Sequence, residues 1–493
     1  MVKLLKFSKM TDAEFALAQS VQGILNRKGI KVFIDIDNYM DYLDEPYQET
    51  SVWSLLEENK NQFIGAVCYN LDCNDVAINM AATISAAYDI LGVPQVLIER
   101  VNTLGIKTLY DLADVKGDRA QRQRVVFQAV KNKLSRTALI HQVVKPDNFH
   151  LMLRDFSICN RWACIYTDQS DSDRTFRNEV LSFLDKNIPV YGWTDDEISF
   201  VNDVSTYGDY VIPMDWSSNH SYLGKCSCTI KQNVKRSAIA PNKHYVALVV
   251  SDGDNIQWLE REFATTSTFG QRQRSSMDYK MSWTFSPSLA KLCPTVAKKI
   301  FTTNKSDYFI SGVSGIGYSN MLAYPIEHLD EFTTQTSQAM QNSDLQVVCL
   351  LDDVNNTQNA QTTEYRLSHY ARFDNIKGGI WELDPAFYEG GHGKIFTSMG
   401  KPFISVKYSF WHKSLDASNV TKPWIEDFAK IINALPVSPD TDEGYTVINV
   451  HPWTISVENI DYLVSILSPH IELVYADELI ELYSKNVLQK QNK

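Results

Sequence analysis

The chain reads as an α/β protein in which small α/β domains lead into a C-terminal (β/α)8-like barrel, or a distorted relative with one strand lost or opened. Three observations carry this reading. At 493 residues the chain is too long for a single core. From His244 onward, short apolar runs alternate regularly with helical stretches. Carboxylates, aromatic residues and His recur just past the apolar runs, where open α/β sheets and (β/α) barrels do their chemistry. A doubly wound open sheet fits the same alternation, because sequence does not display closure.

The N-terminal residues 1–100 form the first expected domain. Ala13–Arg27 has helical periodicity, and Lys28-Gly29 is a stop signal. Val32–Ile36, Phe63–Tyr69 and Gln95–Ile98 read as strands. Asp75–Leu91 is Ala-rich and helical, and is expected to end at Gly92. No Gly-x-Gly-x-x-Gly occurs here, so a dinucleotide site is not indicated.

Residues 101–240 form a second region, helical at first and then α/β. Leu139–Val144, Ala163–Tyr166 and Pro189–Gly192 are its strands. Two stretches, Tyr191–Glu197 and Met214–Ser221, are dense in aromatic and polar residues. Each reads either as a binding loop, with Trp216 and Asn219 touching substrate, or as a surface loop packing its Trp on a neighbour. The polar stretch Lys231–Asn242, with Ala240-Pro241 near its end, marks a domain boundary.

Residues 241–493 are the barrel-like domain. Its strands are expected at Tyr245–Val250, Tyr279–Phe285, Tyr308–Gly312, Gln346–Leu351, Gly379–Trp381, Pro402–Tyr408, Tyr445–Val450 and Ile471–Tyr475. Each is nearly continuous in apolar residues, as strands buried on both faces are. Helices are readable at Ser288–Phe301, Ile326–Met340, Thr363–Tyr370, Lys422–Ala434, Val457–Leu467 and Asp477–Tyr483.

In a barrel the residues past each strand converge on one face. The first strand offers Asp252 and Asp254, with Asn255 and Trp258 following; the third offers Gly315, Gly317 and Tyr318. The fourth offers Asp352 and Asp353, which point to opposite faces if the strand continues. The fifth offers Glu382 and Asp384, the sixth Trp411-His412, and the seventh His451 and Trp453. Aromatic faces stack on sugar rings, carboxylates bind hydroxyls, and two carboxylates perform acid/base or nucleophile duty in glycoside cleavage. The expected catalytic set is Asp252, Asp254, Asp353 and Glu382. Structural alternatives stand beside several of these. Asp254 fits as the cap of a helix starting at Ile256, and Asp477 as the cap of the last helix.

Other classes are less well served. A net charge of −12 argues against nucleic acid as a partner. The eight cysteines are scattered, and Cys226-Ser-Cys228 matches no zinc or redox spacing. No His-x-x-x-His pair occurs among the ten histidines, so no metal ligand set and no cofactor are expected. There is no run long enough to span a membrane and no leader-like apolar region at the start, so the expected location is cytoplasmic, or secreted if a leader has been removed.

Several separated stretches resemble one family. Ser311-Gly-Val-Ser-Gly-Ile-Gly-Tyr318, with Tyr324-Pro325 after it, is similar to the signature of the GxGYxYP putative glycoside hydrolases. Ser251–Trp258, Val21–Arg27 and Val474–Leu479 resemble the family too. The similarity spans nearly the whole chain. In the family pattern one residue separates the two tyrosines; here Ser319 to Ala323 stand between Tyr318 and Tyr324. The resemblance implies a barrel-like C-terminal domain of a carbohydrate-active class; the residues at the strand ends add an oligosaccharide or glycoconjugate as substrate, with Asn255, Trp258, Tyr318, Tyr324, Trp411, His451 and Trp453 among its contacts. Two alternatives are carried with it: a metal-dependent carbohydrate hydrolase or deacetylase, in which His392, His412 and His451 converge on Asp252 or Asp254, and a non-catalytic sugar-binding protein.

Overall fold

Most of the apolar runs became parallel strands. The computed structural model describes residues 1–145, 153–225, 228–353, 360–384, 387–414 and 417–491. The chain divides into two compact units, one of Met1–Ser227 with Leu292–Thr295, the other of Cys228–Lys291 with Val296–Lys493.

The first unit holds three small parallel sheets. Strands β1 (Val2–Lys6), β2 (Val32–Asp35) and β3 (Tyr47–Thr50) pair in the order β2-β1-β3. Strands β4 (Gly65–Tyr69), β5 (Ile90–Pro94) and β6 (Thr108–Asp111) pair as β5-β4-β6. Strands β7 (Leu139–His141), β8 (Ala163–Ile165), β9 (Pro189–Gly192) and β10 (Tyr210–Ile212) pair as β10-β9-β7-β8. The helix expected over Asp75–Leu91 stops earlier, at Ala87, and the third strand is Ile90–Pro94 rather than Gln95–Ile98. Gly92 is therefore a strand residue and not a helix stop. The apolar Leu91-Gly-Val93 pairs with β4, and the Gly92 N–H donates to Ser20 Oγ at 2.8 Å.

The helix Asp12–Arg27 ties these sheets together. Thr11 and Glu14 close a capping box at its start. Most of its surface is buried, including the polar Gln22 and Asn26. Gly23 permits close approach to the helix Arg154–Asn160, since a Cβ there would lie 2.6 Å from Ile158 Cβ.

The second unit carries the eight expected strand regions in altered form. They are β11 (His244–Val250), β12 (Ser282–Phe285), β13 (Tyr308–Ser311), β14 (Val347–Asp353), β15 (Gly378–Asp384), β16 (Ile395–Ser398), β17 (Lys401–Ser405), β18 (Tyr408–Phe410), β19 (Tyr445–Val450) and β20 (Ile471–Leu473). They form two sheets. One has the order β13-β12-β11-β19-β18, with β20 also on β11; the other runs β14-β15-β17-β16.

A closed eight-stranded barrel is thus not what the strand pairing gives. The first strand pairs directly with the seventh, Tyr245–Val250 against Tyr445–Val450. The eighth strand pairs with the first three residues of β11, while β12 pairs with its last two. The sixth expected strand is broken into β17, which pairs with β15, and β18, which pairs with β19. The two sheets meet at a parallel bridge between Val313 and Cys349 and at a hydrogen bond from Lys407 N to Val447 O. The antiparallel β16 is an addition that periodicity did not predict.

Alternate residues of these strands build one core. Tyr245, Ala247 and Val249 of β11 pack with Ile310, Val347, Cys349, Ile380, Ile404, Val406 and Val447. With a two-residue period, the same inward face continues to Glu382 on β15 and Asn449 on β19. The other face of β12 carries Trp283, which packs edge-on against Phe263 and Phe269. The helix expected over Ser288–Phe301 is split into Leu289–Leu292 and Pro294–Thr303, because Pro294 cannot continue a helix ladder. Among the described residues, no helix is long and apolar enough to cross a membrane.

Candidate active site

The loop after β11 is pinned at Gly253 to the end of β12. Gly253 N donates to Thr284 Oγ1 at 2.8 Å, and Gly253 O accepts from Ser286 N at 2.7 Å. A Cβ at Gly253 would lie 1.8 Å from Thr284 O, so only glycine fits this approach. Gly312, just past β13, lies against Asp254 less tightly: its Cβ would stand 3.2 Å from the Asp254 Cα. These two glycines press the Asp-Gly-Asp turn across the ends of β12 and β13.

Asp252 takes a left-handed conformation, φ 67°. That region costs a non-glycine residue about 1 kcal/mol or more, and Asp tolerates it better than most. Its carboxylate accepts from Ser251 Oγ at 2.5 Å and from Trp453 Nε1 at 2.9 Å. Asn255, not Asp254, caps the helix that begins at Ile256: Asn255 Oδ1 accepts from Trp258 N at 3.3 Å. The capping role suggested for Asp254 is therefore filled by its neighbour. Asp254 itself is part-exposed.

Glu382 lies deeper. It is on β15, two residues beyond Ile380 and on the same face, and is 1% exposed. Burial pushes its carboxyl well above the ordinary range, and the charges of Asp252, Asp254 and Asp384 push the same way. The Cys349 thiol opposes this by donating to it. One carboxyl oxygen of Glu382 has no partner among the described residues. On β14, Cys349 is two residues before Leu351, the register partner of Glu382. The signature loop begins beside the same residue, where Ser314 N donates to Cys349 O at 2.7 Å.

His451 and Trp411 stack with ring centroids 3.7 Å apart and planes within 6°. His451 is buried, and desolvation lowers its pKa, with Asp252 acting the other way. Its Nδ1 lies 3.1 Å from Thr454 Oγ1. Trp411 also meets Phe387 and Tyr388 edge-on. Trp453 is 45% exposed and leans on the buried Trp258, 4.8 Å between centroids.

Asp252, Asp254, Glu382, His451, Trp453 and Trp411 are thus brought into one neighbourhood by contacts or by mutual electrostatics. The remaining expected site residues are held in other ways. Tyr324 is fully buried against Phe332, and its carbonyl accepts from Arg366. Tyr318 is 7% exposed. Trp258 is buried behind Trp453, and Asn255, part-exposed, caps the helix that begins at Ile256. Asn219, in the first unit, is buried with φ 62°; it accepts from Gln22 Nε2 and Ile34 N and donates to Ile34 O. Trp216 belongs to the first unit as well and is 39% exposed. The side chain of Asp353 lies outside the described residues.

Asp352 faces away from Glu382. It accepts from Leu322 N at 2.9 Å and Trp381 Nε1 at 3.0 Å, which ties β14 to the segment between Tyr318 and Tyr324. Burial raises its pKa to about 7, against the pull of these donors and of Arg366. Asp477 is not a cap either: it takes a bidentate ion pair from Arg236 at 2.9 and 2.8 Å.

Two residues of this neighbourhood escaped the sequence reading. Cys349 and Asn449 sit within apolar strand runs, where only the two-residue alternation marks them as inward. Asn449 is fully buried, and both ends of its amide lack a partner among the described residues. No group of three or more His, Cys, Asp or Glu side chains among the described residues is arranged to hold a metal ion.

The second unit thus sets a buried acid, Glu382, near a strand-end carboxylate loop on an α/β chain. Two family models match it: "GxGYxYP putative glycoside hydrolase C-terminal domain" over residues 242–484 and "GxGYxYP third domain" over residues 137–225. The chain belongs to the GxGYxYP family. Its fold is similar to that of a crystal structure titled as a putative hydrolase from Bacteroides thetaiotaomicron VPI-5482, with a TM-score of 0.82 and 22% identity, covering 98% of this chain and 94% of that one. No curated protein matches it.

Proposed function

We propose that the second unit hydrolyses a glycosidic bond in an oligosaccharide or glycoconjugate, with Glu382 as the proton donor and Asp252 or Asp254 as the second carboxylate. One observation carries this reading. Glu382 is buried and kept protonated well above the ordinary carboxyl range, beside two part-exposed carboxylates on one loop. Carboxyl groups whose environments push them apart in this way divide the acid and carboxylate roles of glycoside cleavage. The names given to the family and to its structural neighbour support the same class of reaction.

In this reaction Glu382 gives its proton to the leaving-group oxygen as the bond to the anomeric carbon breaks. The second carboxylate either bonds to that carbon or takes a proton from the attacking water. Asp353 is the alternative second carboxylate, since Asp353 pairs in register with Asp384. Trp453, Trp411 and His451 supply ring faces for the sugar.

The test is a screen of the protein against aryl glycosides and natural oligosaccharides, with and without chelator, repeated on Glu382→Gln and Asp254→Asn. Cleavage that ignores chelator and falls about 10²–10⁴-fold in Glu382→Gln is expected. Chelator-sensitive turnover would instead assign a metal-dependent carbohydrate hydrolase. Binding without turnover would leave a sugar-binding protein.

A further inference from the structure

One amide inside the second unit has nothing to bond to. Asn449 on β19 is wholly buried, and neither its Oδ1 nor its Nδ2 has a partner among the described residues. A buried polar group left open destabilises a fold and calls for a physical account. The neighbouring strands explain why the chain does not answer it. In register, Asn449 faces Val249 of β11 on one side and Ser409 of β18 on the other. Val249 is apolar, and the Ser409 hydroxyl donates to Phe387 O. Two residues further along come His451 and Trp411, whose rings stack, so Asn449 lies one layer beneath that stack.

The open groups nearby share a character. One Glu382 oxygen, on the same inward face as Asn449, is without a partner, and so is Trp411 Nε1. A primary amide offers a donor and an acceptor side by side. Two neighbouring ring hydroxyls match that pair, one donating to Oδ1 while the other accepts from Nδ2. An acetamido group does not, because its planar trans amide holds N–H and C=O on opposite sides.

Resting on the glycosidase reading, we infer that Asn449 determines which sugar the second unit takes, its amide holding two adjacent hydroxyls of the ring set beside Glu382. All the open atoms lie beneath the surface. The ring is therefore admitted as Trp411 shifts off Phe387 and Tyr388, which it meets edge-on and which both hold left-handed φ, 51° and 66°. Bulky side chains rarely adopt that region, and strain of this kind gathers at ligand clamps. The unanswered amide is then a cost in the empty protein that the ligand relieves.

The experiment is calorimetric binding of the full-length protein to methyl glycosides of gluco, galacto and manno configuration, and to each monodeoxy and 2-acetamido counterpart. Wild type is compared with Asn449→Leu, and melting temperature is measured alongside. Leucine keeps the volume and removes both open groups. The expected variant melts at or above the wild-type temperature and binds about 10- to 100-fold more weakly. Removing either of two hydroxyls that are neighbours on the ring should weaken binding to wild type and make no difference to the variant. Asn449→Ala reads the same hydroxyl pattern if the leucine variant does not fold. An amide with a merely structural role would lower the melting temperature and leave every hydroxyl's effect unmoved, which overturns the inference, as does no binding to any glycoside. The hydroxyl pattern without cleavage in the screen upholds it while removing the hydrolase reading; cleavage whose kcat/KM is unmoved by Asn449→Leu does the reverse.

Discussion

The Cys349 thiol donates to the Glu382 carboxyl across the ladder between β14 and β15, and the Cys349 carbonyl accepts from Ser314 at the head of the signature loop. One residue thus touches both the buried acid and the loop by which the family is recognised. Its donation favours the ionised form of Glu382 and partly offsets burial.

Cys349→Ala removes that donor, and Cys349→Ser replaces it. Glu382 should stay protonated to higher pH in the alanine variant. The basic limb of the kcat/KM profile on any substrate found by the screen is expected to move up by about half a pH unit. The serine variant should return it toward wild type. A residue that merely filled space would change kcat without moving the limb.

Glu382 also sets the sign of the pH response of the wild-type enzyme. Its folded-state pKa is raised, so the protonated form needed for donation is present at low and neutral pH and is lost as pH rises through that value. The basic limb should therefore lie well above the ordinary glutamic acid range and disappear in Glu382→Gln, whose residual rate should be flat there.

Asp352 gives a stability response of the same sign. Its pKa is about 7 in the folded chain against an ordinary value of 3.8. The folded state holds the proton more tightly, so the contribution is full below pH 3.8 and is lost as pH rises toward 7. The limit of this effect is about 4 kcal/mol. Asp352→Asn should flatten the dependence of denaturant midpoint on pH between 4 and 7, judged from the difference between the two curves.

Gly253→Ala should be among the most disruptive single changes in the second unit. The new methyl would meet the Thr284 carbonyl at 1.8 Å, and the strand ends must part to admit it. A loss of about 3 kcal/mol or more is expected in chemical denaturation, with loss of turnover at temperatures where the chain is still folded. Asp254→Asn, one residue away, should lose turnover with little change in stability.

Asn219→Ala should behave in the opposite way. It leaves the backbone groups of Ile34 without their side-chain partner and takes from the Gln22 amide one of its two acceptors, Val32 O remaining. A stability loss of about 2–4 kcal/mol is expected, with kcat and KM unchanged below the melting range.

Much of this was legible in the residues. The apolar runs located the strands of the second unit other than β16, because a strand buried on both faces can be little else. Their ends were less legible. β14 and β15 run to Asp353 and Asp384, so Glu382 is a strand residue and not a loop residue. Nothing in a Trp-Glu-Leu-Asp stretch says that its carboxylates still lie within a ladder. Closure was not legible for a related reason. Eight runs suggest eight staves, but which edge of β11 receives β20 depends on pairings made nearly the whole domain apart. At the site, the Asp-Gly-Asp turn was visible because its glycine has no other reason to sit between two carboxylates. Cys349 and Asn449 were not, since a thiol and an amide inside apolar runs look like ordinary filling until strand register turns them inward. Asn219 was misleading in the converse way: an aromatic-polar stretch resembles a binding loop whether its polar groups turn to a ligand or to the backbone next door.

The pairing of β11 with β19 and β20 bears on how the second unit comes into being. Tyr245 finds its partner in Tyr445, and His244 in Ile471. A ribosome has therefore delivered some two hundred residues before the opening strand of this unit meets its neighbours on those edges. Until then an all-apolar segment waits uncovered, and contacts this distant along the chain close slowly. Nascent chains cut short of β19 should be clients of holding chaperones, and release should coincide with synthesis of the last strands.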